Sequence, residues 1–261
     1  MGSIDSHVFE QPAATTCSTL PHPPDLDPMA SSLADDLLRL MGDADDRLEF
    51  TVTKEEGHEI KQLRDRNGLR GKLYIFGLQN VESKEEALEA NLSAKERLTD
   101  LELCWERESR RPNVEAEAQV MEGLCPPARL ESLEIWDYHG SRYPSWMVGT
   151  QNGGPKELER IFFWRCSQLG PAPKLENFVR LQVLWLSECG WDALPGNMEQ
   201  LTSLKKLIIM KCFNIRWLPA LPRSIQEINV MSCNAAFTKS CRTIGHLNWQ
   251  KIQHIPKKDI C

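Results

Sequence analysis

The chain has 261 residues, of which 41% are hydrophobic, enough to bury a sizeable core, and no run approaches the ~18 apolar residues of a membrane span. Its net charge of −6 is unevenly spread: residues 1–60 hold 13 acidic and 3 basic side chains, and the remaining 201 hold 24 and 28. Neither part has the clustered Lys/Arg stripe of a nucleic-acid binder, so neither nucleic acid nor a membrane span is expected.

The start, Met1-Gly2-Ser3-Ile4-Asp5, lacks the basic and apolar regions of a secretory signal, which places the chain in the cytoplasm as an expectation. Gly2 with Ser6 satisfies a myristoylation spacing, but that pattern is short and common by chance. Residues 1–57 contain no repeat; Pro21, Pro23, Pro24 and Pro28 punctuate an acidic stretch expected to be disordered. Within it, Ser31 or Ser32 could cap an amphipathic turn carrying Leu33, Leu37, Leu40 and Met41. Residues 58–69 lead into the first repeat and are expected to cover its edge.

From there one phrase recurs, Leu-x-x-Leu-x-Leu-x-x-Cys. It is cleanest at Leu181, Leu184, Leu186, Cys189 and at Leu204, Leu207, Ile209, Cys212. Leu158, Ile161, Phe163, Cys166 precede it and Ile225, Ile228, Val230, Cys233 follow, in steps of 23, 23 and 21 residues. Looser copies open at Arg70, Leu98 and Leu130, 28, 32 and 28 residues apart in turn up to Leu158. Helical patterns over residues 83–97, with Ala87, Leu88 and Leu92 inward, and over residues 114–124 account for the longer steps. These periods fall in the roughly 20–29-residue range of leucine-rich repeats, stretched where helices intervene. The fold expected is α/β: a solenoid of about seven repeats over residues 58–240. Its short parallel strands line the concave side of an arc, with irregular loops and short helices on the convex side. Residues 241–261, with Trp249, Ile252, Ile255 and Pro256, read as a C-terminal cap.

Each unit is too small to bury its own apolar face, so stability must come from stacking adjacent units. Leu194-Pro195, Leu218-Pro219 and Leu221-Pro222 suit extended convex segments and argue against long helices there. The nine cysteines form no Cys-x-x-Cys pair and do not cluster with histidines, so neither zinc nor any other metal or cofactor is expected. Four of them fall in one row of the phrase. Equivalent positions on adjacent strands lie about 4.8 Å apart, wider than the ~3.8 Å Cβ separation of a disulfide, so these are read as structural thiols.

In a strand, residues flanking the third apolar position point away from the core. In repeats three to six those slots hold Glu134 and Trp136, Phe162 and Trp164, Trp185 and Ser187, then Ile208 and Met210. Asp137, Arg165, Glu188 and Lys211 follow along the strands as a charged rim. An exposed apolar patch of this kind marks a partner site, with Trp and Arg as the usual anchors. The candidate protein-binding residues are therefore Trp136, Phe162, Trp164, Arg165, Trp185, Ile208, Met210 and Lys211, with Trp136, Phe162, Trp164 and Trp185 as the contact core. The opposing reading is that a missing receptor domain or the chain's own loops cover these rings.

Several stretches resemble the C-terminal leucine-rich domain of nucleotide-binding, leucine-rich-repeat disease-resistance proteins of the grass type. They are Glu59-Ile60-Lys61-Gln62-Leu63-Arg64-Asp65, Leu69-Arg70-Gly71-Lys72-Leu73, Leu78-Gln79-Asn80-Val81, Leu101-Glu102-Leu103-Cys104-Trp105, Tyr143-Pro144-Ser145-Trp146-Met147 and residues 248–256. The resemblance covers residues 58–261. It implies a non-catalytic recognition module of plant immunity, binding a pathogen effector or an immune-receptor domain. The family's phosphate loop, Gly-x-x-x-x-Gly-Lys-Ser/Thr, does not occur in the sequence, so no nucleotide is expected to bind this chain. The alternatives are a repeat adaptor presenting targets to a ubiquitin ligase, or a truncated receptor fragment. An enzyme has least support, because no Gly-x-Ser-x-Gly or His-Glu-x-x-His motif is present.

Overall fold

The computed structural model describes residues 47–106, 113–148, 153–166, 175 and 177–261. The amphipathic turn at Leu33–Met41, the disorder expected of the acidic segment before residue 47 and the Gly2/Ser6 pattern lie outside the described residues. One compact unit runs from Asp46 to Cys261.

That unit is built on a single sheet of nine strands in strict chain order. They are β1 (Arg47–Thr51), β2 (Arg70–Phe76), β3 (Arg97–Cys104), β4 (Ser132–Trp136), β5 (Arg160–Trp164), β6 (Val183–Ser187), β7 (Lys206–Met210), β8 (Glu227–Met231) and β9 (Lys257–Ile260). Every neighbouring pair is parallel. The helices are short: α1 (Lys84–Leu88), α2 (Val114–Gly123), α3 (Ser145–Val148), α4 (Ala235–Arg242) and α5 (Leu247–Ile252).

The seven phrases expected from the sequence are β2 to β8, and the pairing holds them in register. Leu73, Leu101, Leu133, Ile161, Leu184, Leu207 and Ile228 align across the sheet, as do Ile75, Leu103, Ile135, Phe163, Leu186, Ile209 and Val230. All are buried in one continuous core with the crossover residues Leu78, Leu130, Leu158, Leu181, Leu204 and Ile225. Register cannot slip, because a shift of one residue would turn each apolar row to the opposite face. This is the leucine-rich-repeat architecture that the spacing predicts.

Three boundaries differ from the sequence reading. The sheet starts before residue 58: β1 pairs with β2, and Phe50 and Val52 join the core. The Leu48-Glu49-Phe50 alternation is one short triplet without the flanking Leu or Cys, too little to register as a repeat. Residues 58–69 are consequently the crossover between β1 and β2, with Ile60 and Leu63 buried in a single 3-10 turn, rather than an edge cover. At the other end the 240/241 boundary falls inside α4, which Asn234 caps through its side-chain oxygen. The C-terminal segment then returns to the sheet as β9 beside β8, so the cap is two helices and a strand.

The helix expected over residues 83–97 is only α1, capped by the Ser83 hydroxyl. Asn91 then turns left-handed (φ 49°), and a 3-10 turn at Leu92–Ala94 buries Leu92. Leu88, expected inward, is 51% exposed. Lys95 closes the turn from inside, its Nζ donating to the Leu63 carbonyl at 2.6 Å. Packing of α2 on α1 depends on Gly123, since a Cβ there would stand 2.6 Å from the Lys84 carbonyl oxygen.

The stretches that carry the family resemblance are mostly core builders. The Trp146 indole donates to the Met121 carbonyl at 3.0 Å and ties α3 to α2. Trp105 packs on Tyr138 with ring centroids 5.0 Å apart, and Phe163 packs on Trp191 at 5.2 Å. In the cap, buried Asn248 accepts from the Leu218 amide and donates to the Arg216 carbonyl and the Ser240 hydroxyl, which fixes the helices to the last crossover.

Candidate functional site

The second face of the sheet, opposite the core, is set by the same alternation. Its middle row reads Tyr74, Glu102, Glu134, Phe162, Trp185, Ile208 and Asn229 across β2 to β8. The next row reads Trp136, Trp164, Ser187, Met210 and Met231 across β4 to β8. Strand spacing suits flat rings. Trp136 stacks on Trp164 with centroids 4.7 Å apart and planes 6° from parallel, Trp164 stacks on Trp185 at 5.9 Å, and Phe162 leans on Trp185 at 6.0 Å.

All eight candidate residues therefore lie on one face or its rim, but not as the wet patch the sequence suggested. Phe162, Trp185 and Ile208 are 0% exposed, Trp164 2% and Met210 5%, while Trp136, Arg165 and Lys211 are half-buried. Stacking across the ladder shields ring faces that an isolated strand would leave open. These buried rings do not belong to the core cluster; they make a second apolar layer on the far side of the sheet.

Polar groups inside this layer are incompletely matched. The indole nitrogens of Trp164 and Trp185, the Ser187 hydroxyl and the Asn229 side-chain oxygen are buried without a hydrogen-bond partner among the described residues. A buried donor or acceptor left unpaired costs about 1–3 kcal/mol, and the Trp105 and Trp191 indole nitrogens on the core side are unpaired as well. Burial pushes the Glu134 carboxyl up to about 7, against the lowering effect of the Trp136 indole; Asp100 adds to the rise, and Lys72 and Arg160 oppose it.

The rim is strained and charged. Asp137, Arg165, Glu188, Lys211 and Ser232 occupy one position of successive repeats, and all have left-handed backbones with φ between 49° and 55°. The bend keeps the ladder going: the amides of Asp137, Arg165, Glu188 and Lys211 donate to the Trp164, Ser187, Met210 and Met231 carbonyls at 2.8–2.9 Å. Asn or Gly would adopt this conformation more readily than Arg, Glu or Lys, so the charged side chains are kept at a conformational cost. They pair along the rim. Arg165 makes a two-pronged bond to Asp137 at 2.7 and 2.6 Å, and Lys211 reaches Glu188 at 3.1 Å. Arg165 also lies 5.7 Å from the Trp136 ring centroid.

One residue further on, each thiol turns inward. Cys166, Cys189 and Cys233 donate to the Ile135, Phe163 and Ile209 carbonyls of the preceding strand at 3.6, 3.4 and 3.5 Å. The acceptor is in each case the penultimate residue of that strand. Burial raises the Cys104 thiol to about 12 and the Cys233 and Cys241 thiols to about 11, far from the range of a nucleophile. Among the described residues no group of three His, Cys, Asp or Glu side chains could hold a metal, and no helix is long and apolar enough to cross a membrane.

Tyr74, Glu102, Asn229 and Met231 extend the face beyond the residues singled out from sequence. Their signal was present, since they fill the same slots of the other copies, but their mixed polarity hid the row.

A stack of one-strand units, each returning through a short crossover to a parallel neighbour, defines a leucine-rich-repeat protein. Residues 60–189 match the family described as R13L1/DRL21 LRRs. The chain belongs to this class of repeats, that of plant disease-resistance proteins. It is 36% identical over 173 residues to putative disease resistance protein RGA4 of Solanum bulbocastanum, covering 61% of this chain and 17% of that protein. It is 34% identical over 167 residues to putative disease resistance RPP13-like protein 1 of Arabidopsis thaliana (61% and 13%), and 31% identical over 137 residues to disease resistance protein RGA2 of Solanum bulbocastanum (52% and 14%). The chain thus aligns with 13–17% of the length of these curated relatives.

Proposed function

We propose that this chain is a non-catalytic recognition module of plant immunity that binds a protein, either a pathogen effector or an immune-receptor domain, through the second face of its sheet. The observation that carries the reading is the aromatic layer built outside the core, with unpaired indole N–H groups and a strained, charged rim. A second apolar layer on a repeat sheet adds little that the core does not already supply. It does supply flat anchors and donors for a partner's side chains and carbonyls. Trp136, Phe162, Trp164, Trp185, Ile208 and Met210 would supply apolar contact, and Arg165 and Lys211 charge at the rim. The relatives' names support the disease-resistance setting.

The test separates binding from folding. Trp136 is only half-buried, so Trp136→Ala should leave the melting transition within about 3 °C of wild type. It should weaken a captured protein partner at least tenfold, the usual size of a central aromatic contact (about 2 kcal/mol). Arg165→Ala should weaken it to a smaller degree. A partner whose affinity is unchanged by both substitutions binds elsewhere, and the reading fails.

A further inference from the structure

Between residues 200 and 258 the chain holds ten Lys and Arg residues but only one carboxylate, Glu227. Glu227 is already engaged, lying 3.3 Å from Lys206 and 3.2 Å from Lys257. The last two repeats and the cap thus form a strongly positive end on a chain whose net charge is −6. Arg216, Arg223, Lys239 and Lys251 make no ion pair among the described residues, and the first three are exposed.

This positive end also carries an apolar group that the fold leaves uncovered. Trp217 is 58% exposed, Ile244 80% and Leu247 62%. They belong together: Trp217 lies flat on the His246 ring, centroids 6.0 Å apart and planes 10° from parallel, and His246 sits between Ile244 and Leu247 in the chain. The platform is rigid. The His246 Nδ1 accepts the Asn248 amide at 3.1 Å and caps α5, while Asn248 holds both backbone groups beside Trp217 in place.

We propose that this Trp217–His246–Leu247–Ile244 platform, fringed by Arg216, Arg223 and Lys239, is a second docking surface that takes an acidic amphipathic peptide segment of a protein partner. Charge complementarity selects the acidic partner, since Arg216, Arg223 and Lys239 are exposed and make no ion pair among the described residues. The exposed Ile and Leu select against a nucleic acid, whose phosphate-sugar edge offers nothing aliphatic to cover them. The flat seating of Trp217 on His246 selects against a bilayer, where an anchoring ring must project several ångströms beyond the fold. An amphipathic helix presents both features at once, leucines for the platform and carboxylates for the fringe. This surface is independent of the aromatic face of the sheet.

The probe is a fluorescein-labelled 16-residue peptide with leucines at i, i+3, i+4 and i+7 spacing and glutamates at most other positions, titrated with the intact chain by anisotropy. Saturable binding that weakens as salt rises is expected, and replacing the peptide's leucines with serine should lower affinity about fivefold or more. Arg216→Glu combined with Lys239→Glu should weaken binding by about tenfold, and Trp217→Ala by about fivefold. All three positions are exposed, and unchanged circular dichroism and melting would show that the variants fold. No saturable binding, or binding indifferent to these variants, overturns the proposal. It is equally overturned if phosphatidylserine vesicles or duplex DNA bind more tightly than the peptide and lose that binding in the same variants.

Discussion

Strands β2 to β8 send Leu, Ile, Val or Phe to one side of the sheet, and to the other a mixture of Trp, Phe, Ile, Met, Glu, Ser and Asn. Both sides are dry: Leu184 and Trp185 are neighbours facing opposite ways, and each is 0% exposed. On the core side, the thiols following the strands find carbonyls of the preceding strand, while the Trp105 and Trp191 indole nitrogens and the Tyr143 hydroxyl have no partner among the described residues. On the far side the Trp164 and Trp185 nitrogens, the Ser187 hydroxyl and the Asn229 oxygen have none among the described residues. Burial alone therefore does not distinguish a structural face from a working one. What distinguishes them is composition: the core-side rows of the strands are Leu, Ile, Val and Phe throughout, whereas the far side buries Glu102, Glu134, Ser187 and Asn229 among its rings.

The comparison is tested first at its most structural point. Removing residues 1–57 takes away β1, whose Leu48 and Phe50 lie beside Leu73 and Ile75 on the core side, together with buried Val52. Relative to a chain lacking only residues 1–46, this variant should lose about 3–6 kcal/mol, from two buried side chains and an uncovered neighbour. Denaturant unfolding of the two proteins checks it, and equal midpoints would mean that β1 is an ornament of the sheet.

A single core-side deletion should be nearly as costly. Leu207→Ala removes a fully buried side chain in the middle of the stack and should cost about 2–5 kcal/mol without altering the far face. Differential scanning calorimetry would register it; a shift below about 2 °C would show that the core side relaxes freely.

The far side should respond to pH where the core side does not. The folded-state pKa of Glu134 is raised to about 7 by burial, above its unfolded value of 4.5. A raised carboxylate binds its proton more tightly when folded, so the native state is favoured at low pH. Stability is lost as pH climbs from about 4.5 to about 7, after which the penalty is constant. Glu134→Gln should remove that slope and stabilise the chain at pH 8 by about 1–3 kcal/mol, with little effect near pH 4. Melting curves across that range decide it. A slope that survives in the variant would assign it elsewhere, Glu117 being the next choice, since burial also raises it to about 7.

The smallest effect belongs to the thiol row. Cys189→Ala removes the bond to the Phe163 carbonyl and a small buried volume, and should cost about 1 kcal/mol. Free-thiol labelling of the native chain should at the same time find the Cys189 and Cys212 thiols unreactive: burial, then the Cys166 contact, holds Cys189 well above the ordinary cysteine value, and the Cys189 contact, then burial, does so for Cys212.

The sequence by itself determined the periodic parts. Every two-residue alternation fixes a strand and its core face, and each recurrence fixes the neighbour it must stack on, so β2 to β8 and their register could be read from Leu, Ile and Cys spacing. The same alternation places Trp136, Phe162, Trp164, Trp185, Ile208 and Met210 on a shared face. The tertiary structure decided what depends on distance between strands that are far apart in sequence. It admitted β1 and β9, whose short polar-rich strands carry too weak a pattern alone and are specified by the edges they cover. It ended α1 early and turned Leu88 outward. Above all it decided how wet the aromatic face is: sequence gives the direction of a side chain, but exposure depends on what stands within a few ångströms, and stacked indoles 4.7 Å apart close a surface that alternation alone describes as open.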